Sequence, residues 1–546
     1  MLHMKKIYQS LMMISLAFSS FSTTGCQDFL TEDPKGQLAV TNFFQTKGDL
    51  DKSLNALYGI LANAMYANNA IGFDAVRGDD ISTHPASNKQ PIREVDSYDI
   101  SDNNTWVDEL WTKRWEVVKA ANFIIENAGR TPVDKKYVNA TLGQAYYWRA
   151  YSYYYLVTTW GRVPLCVKDE VEYNMPLAEV EDIYALIVSD LKNAETMLPD
   201  NYSEEPYARN GVNIAVNSAS AKATLSYVYM TMAGWPLNLG TEYYKLAAQK
   251  ANEVIEGVEK GTWNYRLLDE YKQVYSMEWN EKNPEVLLGI HYNLSSGALT
   301  NAVVCDFMQD MAYGGGWEDT HGEIKFWKNF PDGPRKEASY FPKIILQSEA
   351  KSGTLRDWWE DPDPTSPRTC LAPCFMKKVE GLNGAEFDYT NPAALSFEGQ
   401  KQHQVIRLSE VYCWFAESVG RAKLGGADKT KAVRLLNEVR NRADGKQSNI
   451  YNESMSDDEL AEAAYNEHGW EVAGYYWANI ATRARDMFRL NRLKDHFEYR
   501  KENPQVEVAP GVFVSESVPA AGVWDDSKMY FPYPARDVVN NPNLKH

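Results

Sequence analysis

Residues Gly143–Pro164 read GQAYYWRAYSYYYLVTTWGRVP. The run carries Tyr146, Tyr147, Trp148, Tyr151, Tyr153, Tyr154, Tyr155 and Trp160 within a few helical turns. Each aromatic side chain buries roughly 150–250 Å². No helix leaves that much apolar area in water, so at least two of its faces must be covered by other elements. A helix that is apolar all round is a central one. Arg149 lies in the middle of the run, and a buried guanidinium needs an acceptor. A carboxylate or backbone carbonyls are therefore expected against it. Gly161 stops the helix and Pro164 prevents its restart. The stretch reads as packing, without chemistry of its own.

Outward from this helix, the chain shows further amphipathic segments. Asp49 caps a helix with Leu50, Leu54, Leu57, Leu61 and Met65 on one face. Leu110, Trp111, Trp115, Val118 and Ile125 mark a second, and Ile187, Leu191, Ala194 and Leu198 a third. Ala215, Ala219 and Ala223 in Asn213–Met232 allow close helix approach. Tyr243–Glu256 supplies its partner. Paired helices with short connections are the signature of αα-hairpin stacking. From Trp263 to Gln404 the helical period fades, although EVLLGIH (Glu285–His291) reads as a strand. Helices return at Val405, with Leu408, Tyr412, Phe415 and Val419 on one face. Asp428 caps the next helix, and Asp457–Leu493 is a further helical stretch.

The N-terminus is a targeting segment. Lys5 and Lys6 form a basic region, and Ile7–Phe21 is apolar but too short to span a bilayer. It ends at Thr23-Thr24-Gly25-Cys26, which resembles a bacterial lipoprotein processing site, with Thr23 where Leu is usual. Acylation of Cys26 would tether a soluble body to a membrane. Five regions follow: 1–25 signal peptide, 26–48 extended arm, and 49–262 helical pairs with a loop insertion at 68–107. After these come 263–404, an irregular ligand-binding layer, and 405–546, a C-terminal helical region and tail.

The 546 residues carry 16 Trp and 34 Tyr, more than a core requires, and amphipathic rings suit a surface for sugars or peptides. Net charge is −18, and residues 1–25 hold two Lys and no acid, so the remainder is more negative still. That argues against nucleic acid, whose phosphates need a basic face. There is no H-E-x-x-H, no phosphate-binding glycine loop and no dinucleotide fingerprint, so neither metal nor cofactor is expected. Asp361 with Asp363, or Asp525 with Asp526, read as solvated loop acids, since the EF-hand pattern is missing. With Cys26 acylated, five cysteines remain and cannot all pair. Cys370 and Cys374 could bridge or bind metal, or stay as free thiols.

Seven motifs together resemble the SusD/RagB family of outer-membrane glycan-binding lipoproteins. They are CQDFLTEDP from Cys26, WEVVKAANFII from Trp115, RAYSYYYLVTTWGRVPL from Arg149 and DIYALIVSDLKNAETMLP from Asp182. VIRLSEVYCWFAESVGRA from Val405, LLNEVRNRA from Leu435 and the NPNL ending complete the set. The order spans nearly the whole mature chain. It departs from the family at Asn466–Glu471, where an Arg is more usual. The resemblance implies a mainly α fold of four tetratricopeptide-like helix pairs, an α–α superhelix, with a loop-rich ligand-binding layer and little β. It also implies a glycan ligand, a SusC-like TonB-dependent transporter over which the protein sits as a lid, lipid anchoring at the cell surface, and no catalysis.

A sugar site needs aromatic platforms beside hydrogen-bonding side chains. Two irregular stretches supply both. The first offers Arg77, Asp80, Asn88 and Tyr98; the second offers Tyr313, Trp317, Trp358 and Trp359. Some of these are expected to converge on one glycan face. Trp317 leads, because the preceding glycines free the backbone to present its ring. Two other functions fit the same composition: a glycoside hydrolase, which needs only two carboxylates at set spacing, and a helical-repeat scaffold binding peptide or protein.

Overall fold

The computed structural model describes residues 43–64, 73–170, 174–203, 206–292, 311–312, 319–363, 365–377, 380–381, 385–391, 399–475 and 479–545. Cys26, Tyr313 and Trp317 lie outside the described residues. Six helices run in sequence: α1 Lys47–Ala64, α2 Thr105–Asn127, α3 Lys135–Trp160, α4 Val180–Met197, α5 Ser218–Ala233 and α6 Thr241–Glu259. Each packs on the next. After the irregular layer come α7 Leu408–Arg421, α8 Ala427–Asp444, α9 Asp457–Val472, α10 Arg483–Arg489 and α11 Leu493–Glu502. α6 packs directly on α7, and α7 on α8 and α9, so the helical stack is continuous in space though interrupted in sequence. The chain is mainly α, with tetratricopeptide-like helix pairs. The described strands form five two-stranded ladders.

The Gly143–Pro164 run is the C-terminal half of α3. From Gly143 to Trp160 every side chain but Tyr146 is buried. Arg149 meets its expected acceptor: Nε and Nη2 donate to Asp190 of α4 at 2.7 and 2.8 Å, and Nη1 donates to Asn122 of α2 at 2.9 Å. The phenolic hydroxyls are spent on neighbours. Tyr147 and Tyr154 bond Thr224 and Thr231 of α5 at 3.0 Å each, and Tyr155 donates to the Asn479 carbonyl at 2.8 Å. Trp160 Nε1 donates to the Pro532 carbonyl at 3.0 Å, drawing the tail back onto the first pairs. Gly161 ends the helix at φ +73°, where a Cβ would press on the Tyr530 ring at 3.0 Å. Gly420 serves α7 differently: a Cβ there would lie 2.5 Å from the Asp457 carbonyl, so only glycine lets α9 approach this closely.

Three local expectations change. Thr46, not Asp49, caps α1. Its Oγ1 accepts from Asp49 N at 3.3 Å while Asp49 Oδ2 accepts from Thr46 N at 3.0 Å, a reciprocal capping pair. Gly426 at φ +60° holds the cap position of α8, and Asp428 lies in the first turn, where its charge complements the helix dipole. Asp457–Leu493 is not one helical stretch: Val472 ends α9 and α10 begins at Arg483. Gly474 at φ +69° turns the chain between them.

The expected strand at Glu285–His291 forms as β2, Val286–Ile290. It pairs antiparallel with β4, His403–Arg407, with Val286 opposite Arg407 and Ile290 opposite His403. The irregular layer therefore leaves and re-enters the helical body through adjacent strands. Beneath this ladder lies a fully buried charge cluster. Glu471 of α9 accepts from Arg335 at 2.9 Å, Arg407 at 3.0 Å and Arg442 at 2.7 Å. Glu285 takes Arg407 at 3.1 Å and Arg442 at 2.8 Å, and Glu467 takes Arg335 at 2.8 Å. Burial pushes the Glu471 carboxyl up, but Arg442, Arg407 and Arg335 together hold it far below the ordinary value, so it stays ionised.

Breaking one partner of a buried ion network costs roughly 3–5 kcal/mol, because it strands the other charges. Glu471→Gln is accordingly expected to lower unfolding stability by about that amount in a guanidinium titration. A loss under about 1 kcal/mol, the scale of surface pairs, would contradict a cluster that holds the layer to the helices.

Candidate functional site

The first irregular stretch is built around Asp96. Its carboxylate accepts from Thr83 N and Thr83 Oγ1, each at 2.8 Å, and pairs with Arg500 of α11 at 2.9 Å. Arg93 Nη1 donates to the Pro85 and Ala86 carbonyls at 2.7 Å each, clamping the loop that follows. The 3₁₀ turn Ser87–Lys89 sits on this clamp and leaves Asn88 exposed. The second stretch joins the first through β1, Ile81–Thr83, and β3, Thr320–Gly322, which pair antiparallel with Thr83 opposite Thr320. A Cβ on Gly322 would come within 2.7 Å of the Tyr340 ring, so glycine is needed there.

Contacts at the end of this ladder lock the two stretches into one face. Lys89 pairs with Asp319 at 2.5 Å, both nearly buried, and His84 N donates to the Asp319 carbonyl at 3.3 Å. His84 Nδ1 accepts from Ala86 N at 3.1 Å, which leaves Nε2 to donate to Thr369 Oγ1 at 3.2 Å. Burial pushes the neighbouring His321 down to about 3, so it is neutral while it contacts the Thr83 carbonyl and Cys370 Sγ. No disulfide joins Cys370 to Cys374.

The Trp358–Trp359 loop is joined to the same face. Arg368 donates to the Trp358 carbonyl at 2.7 Å and the Glu360 carbonyl at 3.0 Å, and the next residue, Thr369, touches His84. Trp358, Trp359 and Trp327 form an edge-to-face cluster with centroids 5.1–5.6 Å apart. Asp361 accepts from Arg368 N, Asp363 from Thr365, and Asp525 from Ser527. These loop acids serve their own turns.

The placements of the expected ligand residues divide. Arg77, Asp80, Tyr98 and Trp358 are 3, 1, 3 and 3 % exposed, which leaves no surface for a sugar. Their expected role is corrected to structural. Arg77 donates to the Met529 carbonyl at 2.9 Å and lies 4.7 Å over Phe531. Tyr98 donates to the Arg77 carbonyl at 2.7 Å, and Asp80 accepts from Gly474 N at 2.7 Å. The Arg77 and Asp80 contacts tie the loop insertion to the C-terminal region, so polar residue types in an irregular stretch are no guide to exposure. Asn88 is exposed and Trp359 half-buried. Sequence reasoning missed Trp327, His84 and Thr369 as parts of this face, because only the ladder brings them together. It also missed a cavity of about 970 Å³ beside the C-terminal end of α8. Its one signal, paired lysines inside a short apolar run (Phe375–Val379), has no motif value alone.

Two family models match the chain: "Starch-binding associating with outer membrane" over residues 28–230 and the SusD family over residues 382–546. SusD-like protein P2 of Formosa agariphila is 25% identical over 543 residues, covering 95% of each chain. A solved SusD homologue from Bacteroides thetaiotaomicron superposes with a TM-score of 0.72 at 16% identity, over 94% of this chain and 99% of its own. A solved laminarin-binding SusD-like protein superposes with a TM-score of 0.67 at 18% identity, over 91% of this chain and 98% of its own. These superpositions establish likeness of fold.

Burial raises the Asp80 carboxyl to about 7 against the hydrogen bond from Gly474. A carboxyl whose folded value exceeds its unfolded one contributes stability at low pH that is lost as pH rises through the folded value. Asp80→Asn is expected to flatten the stability decline between about pH 4 and 7 and to gain on the order of 1–3 kcal/mol at pH 8. Glu516, raised to about 7 by burial, and Glu323, Asp96, Asp190 and Glu380, raised by burial too, keep a slope of the same sign. Thermal melts across pH read this directly. A steeper decline in the variant would mean that Asp80 is stabilising as the anion.

Proposed function

The chain belongs to the SusD/RagB family, and on that premise we propose that it is a cell-surface glycan-binding lipoprotein. It captures oligo- or polysaccharide and delivers it to a SusC-like TonB-dependent outer-membrane transporter, without catalysing a reaction itself. The observation that carries this reading is the β1–β3 ladder with its Lys89–Asp319 pair. It fixes two sequence-distant irregular stretches side by side on a rigid helical body. A rigid scaffold carrying variable loops is the arrangement in which binding residues concentrate.

Within this reading, Asn88 hydrogen-bonds sugar hydroxyls, Trp359 offers a half-buried ring, and Tyr313 and Trp317 supply the remaining platform. A ring stacked on the apolar face of a pyranose gains from both burial and dispersion, while amide and carboxylate groups satisfy the rim. The laminarin-binding protein of the same fold supports a saccharide as the ligand class. Acylation of Cys26 holds the body at the outer membrane. No described helix is long and apolar enough to cross a membrane.

Affinity electrophoresis across plant, host and microbial polysaccharides should identify a retarding glycan, and incubation with it should release no reducing ends. Trp317→Ala and Asn88→Ala should each weaken that glycan by about tenfold, the scale of a binding hot spot. Unchanged affinity in both would remove this face from the site, and released reducing ends would move the protein to the hydrolases. Labelled palmitate should enter the wild-type chain and fail to enter Cys26→Ala, which should appear in the soluble fraction.

A further inference from the structure

A cavity of about 970 Å³ opens between Leu267–Ser276, the Met376–Lys377 segment and the C-terminal end of α8. It involves none of the residues assigned to the glycan face. Lys377 lies on its floor, only 3 % exposed. The Lys377 ammonium sits 5.1 Å over the Tyr275 ring and 6.0 Å over the Tyr271 ring, with one long hydrogen bond of 3.4 Å to Tyr271 Oη. It forms no ion pair among the described residues. Lys401, also buried, brings its Nζ to 3.5 Å from the Lys377 carbonyl and is acted on by Glu386 and Glu380. Arg442 reaches the same floor but is paired with Glu285 and Glu471.

The acids are at the rim. Glu270 is paired with Lys272 at 2.8 Å, Glu438 with Arg434 at 2.6 Å, and Glu386 accepts from Met277 N at 2.5 Å. Asp269, Glu337, Asn441 and Gln447 complete a polar mouth. A buried lysine without a carboxylate is costly and is kept where a ligand supplies the missing anion. Burial pushes the Lys377 amine well below the ordinary lysine value, and Lys401 down to about 8. An anion on the floor would reverse the shift of Lys377.

We propose that this cavity binds a saccharide unit bearing one anionic group, with the anion seated on Lys377 and the sugar hydroxyls turned to the carboxylates and amides of the rim. A volume of this order suits a small ligand rather than a polymer surface. The chain's net charge of −18 repels polyanions, which also favours a single charged unit over a densely charged chain. The saccharide part of this inference rests on the glycan reading above. The anion part rests on the cavity alone.

Titration calorimetry on the full chain should use a uronate-containing disaccharide, its carboxyl-reduced neutral counterpart, a monosulfated disaccharide and a plain dicarboxylate. At least one anionic sugar should bind saturably, and the neutral counterpart about tenfold or more weaker. Whether uronate or sulfate binds tighter names the anionic group. Lys377→Met should lose about tenfold for the anionic sugar, while its affinity for the retarding neutral glycan and its melting temperature are retained. The proposal falls if no anionic sugar saturates the wild type below ~10 mM. It falls equally if charged and reduced sugars bind alike, or if Lys377→Met binds the anionic sugar as the wild type does. Binding of the dicarboxylate as tightly as the sugar would overturn the saccharide part and retain the anion site. Because neutral-glycan binding is read separately, failure here is distinct from failure of the surface reading.

Discussion

The fold depends on buried guanidinium–carboxylate contacts that link segments far apart in sequence. Glu471 alone gathers Arg335 from the irregular layer, Arg407 from β4 and Arg442 from α8. The same device recurs where the loop insertion meets the C-terminal region. Arg483 holds Asp79 through two bonds of 2.6 and 3.0 Å, Arg485 holds Asp74 at 2.7 Å, and Arg500 holds Asp96. Desolvating such charges is expensive, so each is tolerated only with its partners in place. The contacts therefore act as address labels. A loop that docks in the wrong place strands a buried charge, and hydrophobic packing alone imposes no comparable penalty.

The helical stack adds ring packing to the same device. α3 is buried on nearly every side, its Arg149 is paired with Asp190 of α4, and Tyr147, Tyr154 and Tyr155 bond Thr224, Thr231 and the Asn479 carbonyl. Edge-to-face ring contacts such as Trp111–Trp160 at 5.1 Å and Tyr154–Tyr227 at 6.2 Å fill the space between the helices. The result is a body with few soft positions, onto which the loops are pinned by charge. His468 belongs to this interior. Burial would lower it, but Asp486 and Glu410 raise it to about 9, so it is a buried cation at neutral pH rather than a switch.

The proposed glycan and anion sites differ in character. The first lies at the β1–β3 ladder, where Asn88 is exposed and Trp359 half-buried. The second is a cavity with Lys377 on its floor and carboxylates at its rim. A neutral polymer and a charged sugar unit make different physical demands, stacking area in one case and charge compensation in the other. The two sites are built from different segments accordingly.

The amino-acid sequence by itself determined the helical body. The ring-dense Gly143–Pro164 run, the heptad-like spacing of Leu and Ala, and the glycines and prolines at helix ends are local signals, because helix formation and capping are decided within a few residues. The need for an acceptor at Arg149 was legible for the same reason: a buried charge announces its requirement wherever it sits. Which carboxylate answered was not legible. Nor was the exposure of Asn88 against the burial of Arg77, Asp80, Tyr98 and Trp358, since irregular stretches have no period from which to read a face. Only the tertiary structure decided those, through the β1–β3 ladder and the ion pairs. Pairings between residues hundreds of positions apart depend on how the whole chain closes, and no local pattern encodes them.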